Sequence, residues 1–154
     1  MTERSPTAMP ERPSHPIPDY LLEMDAPCGR LLEHRILSVD PVSFTVRNQF
    51  TGKPEFCNPM GVIQGGLLSS MLDTALTMAG LVATEYKAFL PTLEMKSTFI
   101  GPARPGIFIG EGRVLRMGKS IIFLEATLYD AQENLIATAS ATAKLIYKRD
   151  REQK

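Results

Sequence analysis

The chain has 154 residues and a mass of 17.0 kDa, enough for one hydrophobic core and little more. Lys and Arg match Asp and Glu at 17 each, and this neutrality argues against nucleic acid as the main partner, since phosphate binding draws on a surplus of cations. Cys28 and Cys57 are too few for a disulfide scaffold and read as free thiols of a reducing compartment.

The first twenty residues, MTERSPTAMPERPSHPIPDY, mix both signs of charge and hold no apolar run, so they read as neither a signal peptide nor a membrane span. The expected location is the cytoplasm. Pro6, Pro10, Pro13, Pro16 and Pro18 deny this stretch regular pairing, so residues 1–18 are expected to form a flexible tail ahead of one domain over 19–150. Tyr20, Leu21, Leu22 and Met24 suit a short helix or turn whose apolar side packs on another element. Leu32–Val39 and Val42–Asn48 predict a hairpin turned at Asp40-Pro41, and residues 49–60 a loop.

Gly61–Tyr86 is the longest apolar segment and predicts a helix buried on nearly all sides. Its internal polar residues exclude a membrane span. Gly66, Ser69, Ser70, Asp73 and Thr77 recur at helical steps, giving a narrow polar stripe with a single carboxylate. Four β-favouring runs follow, Leu93–Ile100, Ile107–Leu115, Ser120–Tyr129 and Leu135–Tyr147. In the last, Ala137, Ala139, Ala141 and Ala143 leave one face nearly bare, and only the helix can fill it. The expected fold is α+β, a curved antiparallel sheet wrapped around one long central helix.

Four features of this pattern carry chemistry. Gln64-Gly65-Gly66 opens the helix, where unpaired N–H groups and the positive end of the dipole converge and glycine lets a ligand approach the backbone; paired glycines are equally common as simple relief of crowding. Asp73 lies mid-helix among Met71, Leu72 and Leu76, where a carboxylate is costly unless paired or used. Thr92 opens the next strand and could orient a water, or be only a good β residue, while Asn58 could position Gln64 or a substrate carbonyl, or merely shape a turn. His15 and His34 are too isolated for a metal cluster or a Ser-His-Asp arrangement, so no metal and no cofactor are expected.

With PTLEMKSTFIGPARPG, RMGKS and NLIATASAT, the series Asn58, Gln64-Gly65-Gly66, Asp73 resembles the hotdog-fold acyl-CoA thioesterases of the phenylacetate-pathway (PaaI-like) family over about residues 20–148. In that family the position of Gln64 is usually His, and Thr92 matches a Ser or Thr. The resemblance implies hydrolysis of an acyl-CoA to a carboxylic acid and free CoA, with Asp73 as base or nucleophile, Gly65 as oxyanion donor, and Asn58, Gln64 and Thr92 around them. It places CoA near Gly66, Arg104, Arg116, Gly118 and Lys119, with coenzyme A counted as substrate. Met60 and Ile63 are expected at an apolar acyl end. A non-catalytic acyl-CoA binder is the alternative, and a hydratase would need an Asp/His pair that is missing. Gly65 and Asp73 stand roughly 12 Å apart along one helix, too far to act on one thioester, so the expected assembly is a homodimer or dimer of dimers sharing sites across a two-fold axis near Ser69.

Overall fold

The structure is a computed structural model, and it describes residues 15–148. In chain order it contains the short helices α1 (Asp19–Leu22) and α2 (Pro27–Leu31), the hairpin β1 (Arg35–Asp40) and β2 (Thr45–Gly52), the long helix α3 (Gly65–Ala83), and the strands β3 (Ala88–Phe89), β4 (Thr92–Phe99), β5 (Gly106–Met117), β6 (Ile121–Asp130), β7 (Leu135–Lys144) and β8 (Ile146–Tyr147). Six strands form one antiparallel sheet of order β1-β2-β5-β6-β7-β4, and β3 pairs separately with β8. α3 carries the chain from β2 to β4 at the far edge and packs on the inner face of the curved sheet. This is the hotdog architecture.

The inner face is built by alternation. Ile122, Leu124, Ala126 and Leu128 of β6 and Ala137, Ala139, Ala141 and Ala143 of β7 are buried, while Phe123, Glu125 and Thr127 between the β6 residues are less so. The alanines fit the expectation of a bare surface, but the nearest backbone approach of the helix falls on β5. A Cβ on Gly112 would lie 1.9 Å from the carbonyl oxygen of Ala75, so any side chain there forces helix and sheet apart. The signal in the sequence is the spacing of two between Gly110 and Gly112, which puts both on the same face of the strand.

α3 is long and apolar enough to cross a membrane by length and composition, yet Met71, Leu72, Ala75, Leu76 and Ala79 form a face sealed against the sheet. Burial all round is not what the chain shows. The sheet covers one broad side, and Gly66, Ser69, Ser70, Asp73, Thr74 and Thr77 follow a side it leaves partly open.

At its end α3 closes through left-handed Glu85 and Tyr86 (φ 49° and 57°), with the Tyr86 N–H donating to the Leu81 carbonyl at 2.8 Å. The ring of Tyr86 then receives both extremes of the described chain: Tyr20 stacks on it at 5.6 Å and the Lys148 ammonium lies 3.8 Å from its centroid. The first fourteen residues of the expected tail lie outside the described residues. Its last four do not behave as a tail, since His15 bridges to Val39 and Ile17 packs on the core.

Candidate active site

The loop that enters α3 is pinned from several sides. Asn58 Oδ1 accepts from the N–H of Met60 (2.9 Å) and of Val62 (3.4 Å), the Ile63 N–H donates to the Ala103 carbonyl (2.7 Å), and the Gln64 N–H donates to the Phe56 carbonyl (2.9 Å). Asn58 is thus a turn former, and its carbonyl oxygen is not offered to Gln64 or to a substrate. Gln64 is the extended N-cap residue; its side chain makes no cap bond, and its carbonyl accepts from Leu67 and Leu68. The N–H groups of Gly65 and Gly66 meet no acceptor among the described residues, as helix geometry leaves them. A Cβ on Gly65 would press to 3.0 Å from the Phe99 ring, whereas one on Gly66 would enter open space. The first glycine leaves room for the Phe99 ring and the second keeps the N–H groups approachable.

From this point α3 and β4 run side by side, and three contacts mark the path. Gly65 faces Phe99, the Ser69 hydroxyl donates to Ser97 Oγ at 3.3 Å, and the Thr92 hydroxyl donates to Asp73 Oδ1 at 2.8 Å. A hydroxyl has one proton to give, so Thr92 orients the carboxylate by donation and could hold an attacking water only as an acceptor. Asp73 is the sole carboxylate on α3, is half-buried, and has no ion pair among the described residues. Its second oxygen is left for another partner. Ser70 and Thr74 donate instead to helix carbonyls one turn back, at 3.0 and 2.9 Å.

Asp73 borders a cavity of about 730 Å³. One wall is α3, through Ser70, Asp73, Thr74, Thr77 and Met78, and the other is the N-terminal segment, through Leu21, Leu22, Met24, Ala26 and Cys28, with His34 and Ile36 between them. The N-terminal wall went unrecognised in the sequence, where Leu21, Leu22 and Met24 read as a packing cap and His34 as an isolated strand residue. Two of the cavity's carboxylates have cationic partners, while Asp73 and Arg35 line it as well. Asp25 pairs with Arg30, and Glu33 with Lys53 at 3.2 Å, where bonds from Thr51 and Lys53 hold the Glu33 carboxyl below its usual range. Burial pushes the His34 imidazole below its ordinary value, so it is neutral at pH 7.

Other expected positions fall elsewhere. Ile63 is buried in the core beside Gly52 and Phe108, and Met60 stands 83% exposed on the entry loop; neither lines this cavity. Arg104 precedes β5 on the loop held by Ile63, whereas Arg116 lies within the far end of that strand, paired with Phe123 and not in a turn as expected, and Gly118 and Lys119 form the turn after it. Twelve residues of β5 separate the two turns, roughly 36 Å along the strand, so in one chain these cations cannot share a ligand. Among the described residues no group of three or more His, Cys, Asp or Glu side chains is arranged to hold a metal.

The free N–H groups at the start of α3 and the Asp73–Thr92 pair both lie within the stretch, residues 60–137, that matches the family model of the thioesterase superfamily. The chain belongs to that superfamily. A solved thioesterase from Ralstonia eutropha, described as a phenylacetic acid degradation-related protein, is 30% identical with a TM-score of 0.75, the match covering 79% of this chain and 92% of that one. This supports a hotdog thioesterase of the PaaI-like kind. A Saccharolobus solfataricus protein classed with the esterases is 36% identical over 87 residues, 56% of this chain and 61% of its own length. Human acyl-coenzyme A thioesterase 13 is 33% identical over 93 residues, 60% of this chain and 59% of its own length. The chain thus spans about three fifths of these two curated relatives. The thioesterase match begins at residue 60, and the N-terminal wall of the cavity lies before it.

Proposed function

We propose that this thioesterase acts on acyl-CoA, releasing a carboxylic acid and free CoA without a cofactor, at sites each built from two chains. The observation that carries the reading is the division of labour along α3, with free N–H donors at its first turn and an oriented carboxylate eight residues on. An antiparallel second helix on the open stripe would set Gly65 of one chain opposite Asp73 of the other, and Gly66, Ser69 and Ser70 are small enough for a close crossing. Such pairing also lets Arg104 of one chain serve the same ligand as Arg116 and Lys119 of the other. A cytoplasmic homodimer or dimer of dimers is the form this takes.

The chemistry then follows from the geometry. The Gly65 N–H donates to the thioester oxygen as negative charge develops there, with the exposed Gln64 amide beside it. Asp73, held by Thr92, either takes a proton from water as the water attacks the carbonyl carbon or attacks directly to form an anhydride that water cleaves. In both routes a C–O bond forms, the C–S bond breaks, and the CoA sulfur leaves and ends as a thiol. The human relative's name, acyl-coenzyme A thioesterase 13, supports this substrate class.

The test is release of free thiol from a panel of acyl-CoAs at saturation, followed by complementation. Asp73→Asn mixed with the double variant Asn58→Ala and Gln64→Ala is expected to regenerate activity in heterodimers. Heterodimers as inactive as both parents would refute the shared site, and an acyl-CoA that binds without turnover would make the chain a binder.

A further inference from the structure

The hairpin of β5 and β6 ends in a surface unlike the rest of this electrically neutral chain. The ladder between β5 and β2 stops at the Arg113–Thr45 pair, and β5 runs on to Met117 with β6 as its strand partner, so the tip projects past the start of β2. Ile122 and Leu124 turn into the core, which sends Ile121 and Phe123 to the outer face of the sheet. Phe123 is 43% exposed there, and Leu115, left over at the irregularity between Val114 and Arg116, is 51% exposed.

Cations frame these apolar side chains. Arg116 is the cross-strand partner of Phe123, Lys144 of β7 is that of Ile121, and Lys119 sits in the turn. All three are exposed and have no ion pair among the described residues. The chain carries no acidic residue from 112 to 124 or from 134 to 148. Of the nearest carboxylates, Glu125 is paired with Arg113, Asp40 is bonded within its own turn, and Glu94 stands two strands from Phe123 in the same row.

An apolar tip ringed by unpaired cations fits the boundary between acyl chains and anionic headgroups, where the apolar side chains insert and the cations meet phosphate. A second copy fits it badly, because a two-fold contact would set Arg116, Lys119 and Lys144 against themselves. A projecting tip also offers no groove to hold a helix of an acidic protein.

We propose that this tip docks the protein on anionic phospholipid surfaces, with Leu115 and Phe123 inserting and Arg116, Lys119 and Lys144 facing the phosphates. Met117, Ile122, Ala143 and Thr92 form one row across the sheet, so the Thr92–Asp73 pair lies at the same end of the sheet as the tip. An acyl-CoA held in a bilayer would then be met at its surface, a consequence that rests on the acyl-CoA reading, whereas the docking itself does not.

The experiment is sedimentation of the full chain with vesicles of phosphatidylcholine, alone or with about a third phosphatidylglycerol. Binding is expected to the anionic vesicles at low salt. Partitioning should be roughly tenfold or more weaker to phosphatidylcholine alone, and also in about 1 M salt, where the screening length is about 3 Å. Leu115→Ser combined with Phe123→Ser, and separately Lys144→Glu, should each lower partitioning roughly tenfold or more while leaving hydrolysis of a short, water-soluble acyl-CoA unchanged. Lys144→Glu carries the test should the double variant fail to fold. Wild-type protein that ignores anionic vesicles would overturn the proposal, and so would folded variants that bind them as well as wild type does. If light scattering shows that the double variant loses assembly size while its vesicle binding persists, the face belongs to a contact between copies and the proposal falls. An acidic carrier protein held at the tip of a chain indifferent to vesicles would overturn it in the same way. A chain that binds anionic vesicles through these residues and cleaves no thioester would sink hydrolysis and leave the docking standing.

Discussion

The two sides of α3 obey opposite rules. Toward the sheet, Met71, Leu72, Ala75, Leu76 and Ala79 are sealed in contact with β-strands whose own side chains shrink to alanine and glycine to admit them. Away from it, Ser69, Ser70, Asp73 and Thr74 are half-exposed, and each has a local hydrogen bond to hold it in place. One side tolerates no change of volume, and the other tolerates change of shape but not of hydrogen-bonding capacity. Fold and chemistry are thus carried by the same nineteen residues without competing for them.

That contrast can be broken at either side. The largest effect is expected from Gly112→Ala, because a methyl group 1.9 Å from the Ala75 carbonyl oxygen requires the helix to move bodily. Overpacking of this kind costs about 3 kcal/mol or more, and a thermal melt should show a loss of several degrees or no folded protein. Asp73→Asn is the converse: kcat should fall roughly a hundredfold or more while the melting temperature barely moves. A variant with near-normal turnover would make Asp73 structural. Thr92→Val removes only the hydroxyl that orients the carboxylate, so kcat should drop about tenfold, the scale of one lost hydrogen bond to a charged group.

The smallest effect sharpens the comparison at the cavity. Because burial lowers the pKa of His34 in the folded chain, the unfolded chain takes up the proton first as pH falls through about 6.5, the ordinary imidazole value. Stability should therefore decline as pH drops from there toward the folded value, and melts of His34→Phe should lack that part of the decline. The lowered carboxyl groups of Glu33, Asp40, Glu85 and Asp130 work in the same sense but in a more acidic range, below the ordinary carboxylate values.

Much of this was legible in the sequence, and the reasons are local. The alternation of β6 and the alanine ladder of β7 declare an inner face whatever packs on it, and the polar stripe of α3 is visible at a spacing of three and four. Position within the stripe, however, does not say which partner each residue takes. Thr92 meets Asp73 because β4 lies at the far edge of the sheet alongside the helix, a fact of topology rather than of spacing. Likewise Arg104 and Arg116 look adjacent as turn residues and stand a whole strand apart. The cavity wall was hidden because Leu21, Leu22 and Met24 show only that they need cover, and His34 is placed only by its contacts with Asn48 and Phe50, fourteen and sixteen residues away.

The ring of Tyr86 ties the two ends of the described chain into a loop. Tyr20 belongs to the short helix that supplies Leu21 and Leu22 to the cavity, and Lys148 follows the last strand, so the cavity wall is fastened to the end of the chain through one side chain. Replacing Lys148, which does not itself line the cavity, should therefore loosen the helix that carries Leu21 and Leu22, read as faster amide exchange there. A change at one end of the described chain thus bears on a cavity wall built at the other.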